Sequence, residues 1–331
     1  MITWHHPALV CSLTFGSLLS AQIPTAHPQE AMQGAALVAP FGILFGSEAE
    51  ARTQILVPRH ELPAVPAQLV GIEVRASFGA PMVYTSLRID VAETSSTQLQ
   101  ATFANNLPTP LTTALNAAGY VLPFVSGTWT TIAFTTPHTY SGSAGLVLDI
   151  RKVVNPGSSL ALQGTFTPAL PLRLDRPFMQ VASGAIGSGA ANATVANAAV
   201  GPITVRLLWN NTPTLRNRSD ATTATGASHA LGGQVDLTVQ AAPNSPWWVA
   251  IASSFLATPV AVGGFVGEYR LDNALLIGGS VLDPQGLATV TIPLPTSPSF
   301  VGLYYAYQAV VLDPANGSLR FTNGTDHFIN P

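Results

Sequence analysis

Hydrolytic, nucleotide-driven and metal-dependent chemistries each need particular residue types at a fixed spacing, and this chain offers few of them. A helical zinc site needs His-Glu-x-x-His, because two ligands one turn apart face the same ion. No such motif occurs. Of the seven histidines, His5 and His6 sit near the start, and His27, His60, His138, His229 and His327 read as isolated loop or surface residues. A serine hydrolase of the α/β type needs Gly-x-Ser-x-Gly at a strand-to-helix turn. Ser143 and Ser188 lie in glycine-rich stretches that lack this spacing. Lys152 is the sole lysine and follows Asp149-Ile150-Arg151, so no phosphate loop ending in Gly-Lys-Ser/Thr exists.

Paired carboxylates remain, since glycosidic hydrolysis takes two that face each other. Glu73, Asp90, Glu93 and Asp149 fall on or near expected strands. Asp90 and Asp149 alternate with apolar neighbours, which predicts outward-facing residues on half-buried strands. Carboxylates so placed, together with loop carbonyls, are also what a structural calcium ion takes, and no other cofactor is implied. Aromatic side chains are the remaining lead, because sugar-binding sandwiches stack pyranose rings on exposed Trp or Tyr. Trp129 is compatible with either face of its strand. Trp247 and Trp248 point to opposite sides, one toward a core and one outward, and Tyr305 and Tyr307 share a core face that leaves Tyr304 on the other. Trp129, Trp248 and Tyr304 are therefore the candidate ligand-binding residues, Asp90 and Asp149 the candidate metal ligands, and no residue is assigned a catalytic role.

Composition limits what such residues can serve. Charged residues are 9% of the 331, so Ser, Thr, Asn, Gln, Gly and Pro supply most of the polar surface. An average soluble chain carries about 25%. That balance suits strands and turns better than exposed helices. The net charge is −3 and the arginines are scattered singly, so no basic stripe exists to track a row of phosphates, and nucleic-acid binding is excluded. From residue 229 onward Asp236, Glu268, Asp272, Asp283, Asp313 and Asp326 outnumber Arg270 and Arg320, and they read as solvated loop carboxylates.

The stretch 8–19 is apolar and is followed by Ser20-Ala21 and polar, proline-containing sequence, the pattern of a signal peptide over 1–21. It is too short to span a bilayer. The expected location is outside the inner membrane: secreted, periplasmic or at the cell surface. Cys11, the sole cysteine, leaves with that segment, so the mature protein has neither disulfide nor thiol nucleophile. Asn-x-Ser/Thr occurs at Asn192, Asn210, Asn217, Asn316 and Asn323, and Asn-Gly at two of these reads as turn chemistry. The uncharged run from Trp247 to Val266 is broken by Ser253-Ser254, Pro259 and Gly263-Gly264, which predicts two buried strands rather than a membrane span.

Period-two alternation predicts strands over 69–76, 86–92, 128–134, 145–153, 159–166, 203–209, 234–240, 288–293, 300–312 and 318–321. The one helix candidate is 111–118, ending before Gly119. With 27 prolines and 28 glycines as punctuation, the expected fold is all-β. It comprises two antiparallel β-sandwich domains, a jelly-roll-like one over 22–210 and a smaller Ig-like or Greek-key one over 229–331, joined by a linker at 211–228. The segment 182–199 reads as a loose loop of small residues. Val281-Leu282-Asp283-Pro284 recurs as Val311-Leu312-Asp313-Pro314, an echo of turn chemistry rather than a duplication.

Two groups of segments carry a resemblance. Leu87-Arg88-Ile89-Asp90-Val91, Thr102-Phe103-Ala104-Asn105-Asn106-Leu107, Trp129 to Pro137 with Tyr140-Ser141-Gly142, and Leu146 to Arg151 together resemble a module of secreted bacterial proteins, notably of planctomycetes. Gly302-Leu303, Gln308 to Pro314 and Leu319 to Gly324 are similar to a C-terminal domain of exported planctomycete proteins. The resemblance implies export and a β-sandwich, and it brings no catalytic residues. The first module also resembles jelly-roll carbohydrate-binding domains in architecture. Two functions are expected on this basis. One is a non-enzymatic binding or structural module of the cell surface or matrix, with an extracellular glycan or a cell-surface protein as partner. The alternative is a glycoside hydrolase or lyase using a carboxylate pair on a sandwich face.

Overall fold

The structure is a computed structural model that describes residues 22–27, 49–75, 81–125, 129–155, 182–186, 189–196, 198–200, 205–210, 212–219 and 231–329. The expected signal peptide, its Cys11, the segment 220–230 and the strand expected at 159–166 lie outside the described residues.

Among the described residues ten strands form the first half: β1 (Gln22–His27), β2 (Glu50–Val57), β3 (Ala67–Arg75), β4 (Pro81–Thr94), β5 (Leu111–Pro123), β6 (Trp129–Tyr140), β7 (Gly145–Val154), β8 (Ala182–Ile186), β9 (Ala198–Val200) and β10 (Val205–Asn210). They make a six-stranded sheet, ordered β5-β4-β7-β2-β8-β9, and a four-stranded one, ordered β1-β10-β3-β6, with every pairing antiparallel. Alternate residues turn inward. Ile55, Leu87, Ile89, Leu146, Leu148 and Ile150 of the larger sheet meet Leu69, Ile72, Val74, Ile132, Leu207 and Trp209 of the smaller in one core. Each such side chain contributes about 1.5–3 kcal/mol by leaving water.

The second half holds β11 (Thr214–Ser219), β12 (Gln234–Gln240), β13 (Pro246–Ala252), β14 (Phe255–Ala261), β15 (Phe265–Val266), β16 (Glu268–Leu271), β17 (Leu275–Val281), β18 (Leu287–Pro293), β19 (Tyr304–Asp313) and β20 (Ser318–Phe328). A three-stranded sheet, β11-β12-β18, faces a five-stranded one, β15-β20-β19-β13-β17, and β14 pairs with β16 beside them. Only the short β15–β20 contact is parallel among these pairings. In β12 the residues Val235, Leu237 and Val239 are buried and their neighbours half-exposed, the period-two pattern of a strand covered on one face. They pack on Trp247, Val249, Tyr307, Ala309 and Val311 from the facing sheet.

The all-β, antiparallel sandwich reading therefore holds, while several local readings are corrected. The helix expected at 111–118 is instead part of β5, paired along its length with β4. Leu111-Thr112-Thr113 begins it with β-branched residues, and the sheet edge overrides the helical preference of the alanines that follow. The segment 211–228 is not simply a linker, because Thr214–Ser219 is a strand of the second sandwich and Leu215 is buried in its core. The loose loop expected at 182–199 contains β8 and β9, which extend the six-stranded sheet from β2. Its small residues suit the tight fit there, where Ala185 and Ala190 pack against Phe103.

The repeated Val-Leu-Asp-Pro words do mark turns. Asp283 Oδ1 accepts from the backbone N–H groups of Gln285 and Leu287 at 2.9 and 2.8 Å, and Asp313 Oδ1 accepts from that of Ala315 at 3.0 Å. The uncharged run from Trp247 to Val266 folds as β13, β14 and β15 with Ser253-Ser254 between the first two. Among the described residues no helix is long and apolar enough to cross a membrane.

Candidate functional site

Asp90 and Asp149 do come together, but buried beneath covering chain rather than in solvent. They sit directly opposite each other on β4 and β7, on the side of the six-stranded sheet away from the main core. Cross-strand register makes two polar rows across β4, β7 and β2: Arg88, Arg151 and Arg52 in one, and Asp90, Asp149 and Gln54 in the next. Both carboxylates are fully buried. Arg52 donates from Nε and Nη2 to the two oxygens of Asp149 at 2.9 and 2.8 Å, and Arg151 reaches Asp149 Oδ2 at 3.0 and 2.7 Å. Asp90 takes Arg88 Nε at 2.8 Å and the Thr113 hydroxyl at 2.7 Å. Like charges face each other along the rows, and they are neutralised between rows by the same-strand pairs Arg88–Asp90 and Arg151–Asp149 and the cross-strand diagonals Arg52–Asp149 and Arg151–Asp90.

A lid of irregular chain covers this network. The segment around Phe103 pairs with 194–196, and Arg52 lies over the Phe103 ring at 4.5 Å while donating to the Ala193 carbonyl. Gln54 donates to the Phe103 carbonyl and accepts from Asn106. The outward orientation predicted for the two aspartates is right about the face and wrong about solvent, because the lid was invisible in the periodicity. Their oxygens, offered by sequence to calcium, receive guanidinium hydrogens, and three cations against two anions leave the cluster net positive.

The aromatic candidates fall on three different strands, β6, β13 and β19. Trp129 opens β6, and its side chain is outside the described ones. Tyr304, at the start of β19, is half-buried beside Phe255, edge-on at 6.5 Å between centroids. Trp247 is buried, whereas Trp248 is 39% exposed on the outer face of the five-stranded sheet. Register places Gly279, Trp248, Val310 and Phe321 in one row across β17, β13, β19 and β20. A Cβ at Gly279 would stand 2.7 Å from Trp248 Cδ1, so the indole occupies space that only glycine leaves. Leu276 (61% exposed) and Val281 (55%) flank it on the edge strand β17. The result is an uncharged, apolar rim carrying one large aromatic ring, suited to stacking contacts.

The third concentration of polar residues lies between the sandwiches, and sequence reasoning missed it. The turn after β2, residues 59–63, docks against β16 and β20. Arg270 of β16 is fully buried and points Nη1 at the carbonyls of Arg59, His60 and Leu62, at 2.8, 2.9 and 2.7 Å. Burial pulls its pKa below the usual arginine value. Arg59 pairs in return with Glu268, and Gln308 ties β19 to β16 through Arg270 N and Glu268 O. Gly267 lets the chains approach, since a Cβ there would meet Val65 Cγ1 at 2.8 Å. Beside this contact, His60, Glu61 and Asp326 bring their ligand atoms within 4.8 Å of one another, all three residues buried.

Three of the histidines read as isolated loop or surface residues, His60, His138 and His327, are interior ones. His327 stacks on Tyr307 with centroids 5.5 Å apart, and His60 lies 4.8 Å from the Phe255 ring. His138 is buried beside the Thr112 hydroxyl, 2.9 Å from Nδ1; burial lowers its pKa from the ordinary histidine value, with Glu93 opposing. The unfolded chain then takes up the proton more readily than the native one. His138's stabilising contribution is whole above about pH 6.5 and is lost as pH falls from there toward the lower native value. Chemical denaturation at pH 7.5 and 5.5 should show a loss of stability on acidification that is smaller in His138→Gln. An equal loss in both proteins would assign the effect elsewhere.

No protein-family model matches the chain, and no curated protein sequence matches it. Among solved structures, the crystal structure of a β-1,2-glucanase from Parabacteroides distasonis is similar over 81% of this chain and 28% of that one, with 10% sequence identity and a TM-score of 0.21. The chain therefore spans under a third of that protein's length.

Proposed function

We propose that this protein is an exported, non-enzymatic binding module of the cell surface or extracellular matrix, and that it takes an extracellular glycan against the outer face of its five-stranded sheet. The observation that carries the reading is Trp248, a partly exposed indole seated over Gly279 on an uncharged rim. An indole presents a broad apolar face at small cost in side-chain freedom, which suits the C–H face of a pyranose. The signal-peptide pattern and the resemblance to exported planctomycete modules are consistent with this role.

The hydrolase alternative finds less support. Asp90 and Asp149 are adjacent, but both oxygens of Asp149 accept from Arg52 and Arg151, and Arg52 is in turn tied to the covering segment through the Ala193 carbonyl.

Binding to a panel of soluble and insoluble polysaccharides, by affinity electrophoresis and pull-down, tests the proposal. Trp248→Ala should weaken binding by about 30-fold or more, the scale of a central aromatic contact. Gly279→Val, which displaces the indole without removing it, should weaken it as well. Absence of binding to every polysaccharide, or binding indifferent to both substitutions, would refute the glycan reading.

A further inference from the structure

We infer that His60, Glu61 and Asp326 form a divalent transition-metal site that staples the two sandwiches together. This inference is independent of the glycan reading, since these residues lie at the domain contact and Trp248 lies on the outer sheet face. The three residues are 9%, 5% and 7% exposed, so two carboxylates and an imidazole are brought together largely out of water. His60 Nε2 is 3.9 Å from Glu61 Oε1, and all three ligand atoms lie within 4.8 Å. Around one ion at about 2.1 Å, neighbouring ligand atoms stand roughly 3.0–3.4 Å apart. The His60–Glu61 separation is within about an ångström of that spacing, so small side-chain shifts would set three protein ligands around one ion, with at least one position left for a further donor such as water.

Ligand chemistry narrows the ion. Calcium and magnesium take oxygen donors, whereas an imidazole nitrogen with two carboxylates suits Zn2+ or Mn2+. The placement supplies a role. Two ligands come from the turn after β2 in the first sandwich and the third from β20 in the second, so one ion would bridge the two. The turn is positioned for this by Arg270, whose guanidinium grips the carbonyls on both sides of His60 and that of His60 itself. Supporting hydrogen bonds of this kind orient metal ligands in general. Phe255 packs on the His60 ring and limits its rotation.

The test uses the full chain, stripped with EDTA and then dialysed separately against Zn2+, Mn2+ and Ca2+, with bound metal measured by mass spectrometry and stability by thermal unfolding. About one equivalent of Zn2+ or Mn2+ should be retained, with a rise in Tm of about 5 °C at a metal concentration 100-fold above Kd. Ca2+ should do neither. Loading with Co2+ should give visible absorption bands, a readout that needs no variant and so survives any folding defect. Asp326→Asn and His60→Ala should bind at least 10-fold more weakly. Failure of the native protein to retain any of these ions, or retention unchanged in both variants, overturns the site.

Discussion

Replacing Arg270 with methionine should cost about 3–5 kcal/mol of stability and split the unfolding of the two sandwiches into separate transitions. The substitution keeps much of the side chain's apolar volume, so a cavity is a minor part of the loss. What it removes is the donor to the carbonyls of the docked turn, those of Arg59, His60 and Leu62 and, at longer range, Pro63. Each acceptor left dry and unpaired costs about 1–3 kcal/mol. The same guanidinium joins β16 to the turn of the other sandwich, alongside the Arg59–Glu268 pair, so its loss falls on the contact between them. Arg270→Lys should recover only part of the stability, because its nitrogen stops about one bond short of Nη1. Guanidinium titration followed by fluorescence and by circular dichroism checks both statements. A single coincident transition shifted by less than about 1 kcal/mol would mean that the carbonyls find other donors and that Arg270 does not couple the domains.

Strands with one wet face were legible in the sequence. β12 and β18 fall where alternation puts them, because a pleated strand covered on one side must write its burial with period two. β2 did not announce itself. Its Arg52 and Gln54 point to a polar layer under the Phe103 lid, so the strand is buried on both faces and its pattern reads as irregular. β5 was misread for a related reason: Ala114, Ala117 and Ala118 fit a helix in isolation, and only pairing with β4 decides otherwise.

The candidate site was less legible, and the cause lies in how this chain spends its few charges. Sequence patterning reads Asp90 and Asp149 as outward-facing and the carboxylates from residue 229 onward, Asp326 among them, as solvated. Instead Arg52, Glu61, Asp90, Asp149, Lys152, Arg270 and Asp326 are all buried. With Ser, Thr and Asn available for the surface, ionic groups are free to hold layers together, and their partners come from strands far apart in sequence. Spacing along the chain carries no trace of such pairings. Trp248 differs because its exposure follows from local alternation with Trp247, which the sequence does record.

Asp149→Asn should destabilise the protein by about 3–5 kcal/mol, more than any substitution at the half-exposed Arg88. Removing the charge leaves Arg52 and Arg151 facing each other in register with one carboxylate, Asp90, to neutralise three guanidinium groups. A buried cation stripped of its partner bears the full cost of its desolvation, whereas an intact pair has already offset most of it. The double variant Arg52→Met with Asp149→Leu should therefore be less damaged than Asp149→Asn alone, since an apolar pair of similar volume asks for no compensation. Arg52 also donates to Ala193 O and covers Phe103, so the double variant should lose protection of backbone amides in 101–107 and 189–196 while the main core keeps its own. Denaturant titration with hydrogen exchange separates these effects. If the double variant proves as unstable as the sum of the two single substitutions, the aspartate and arginine act independently and the diagonal pairing does not hold the lid.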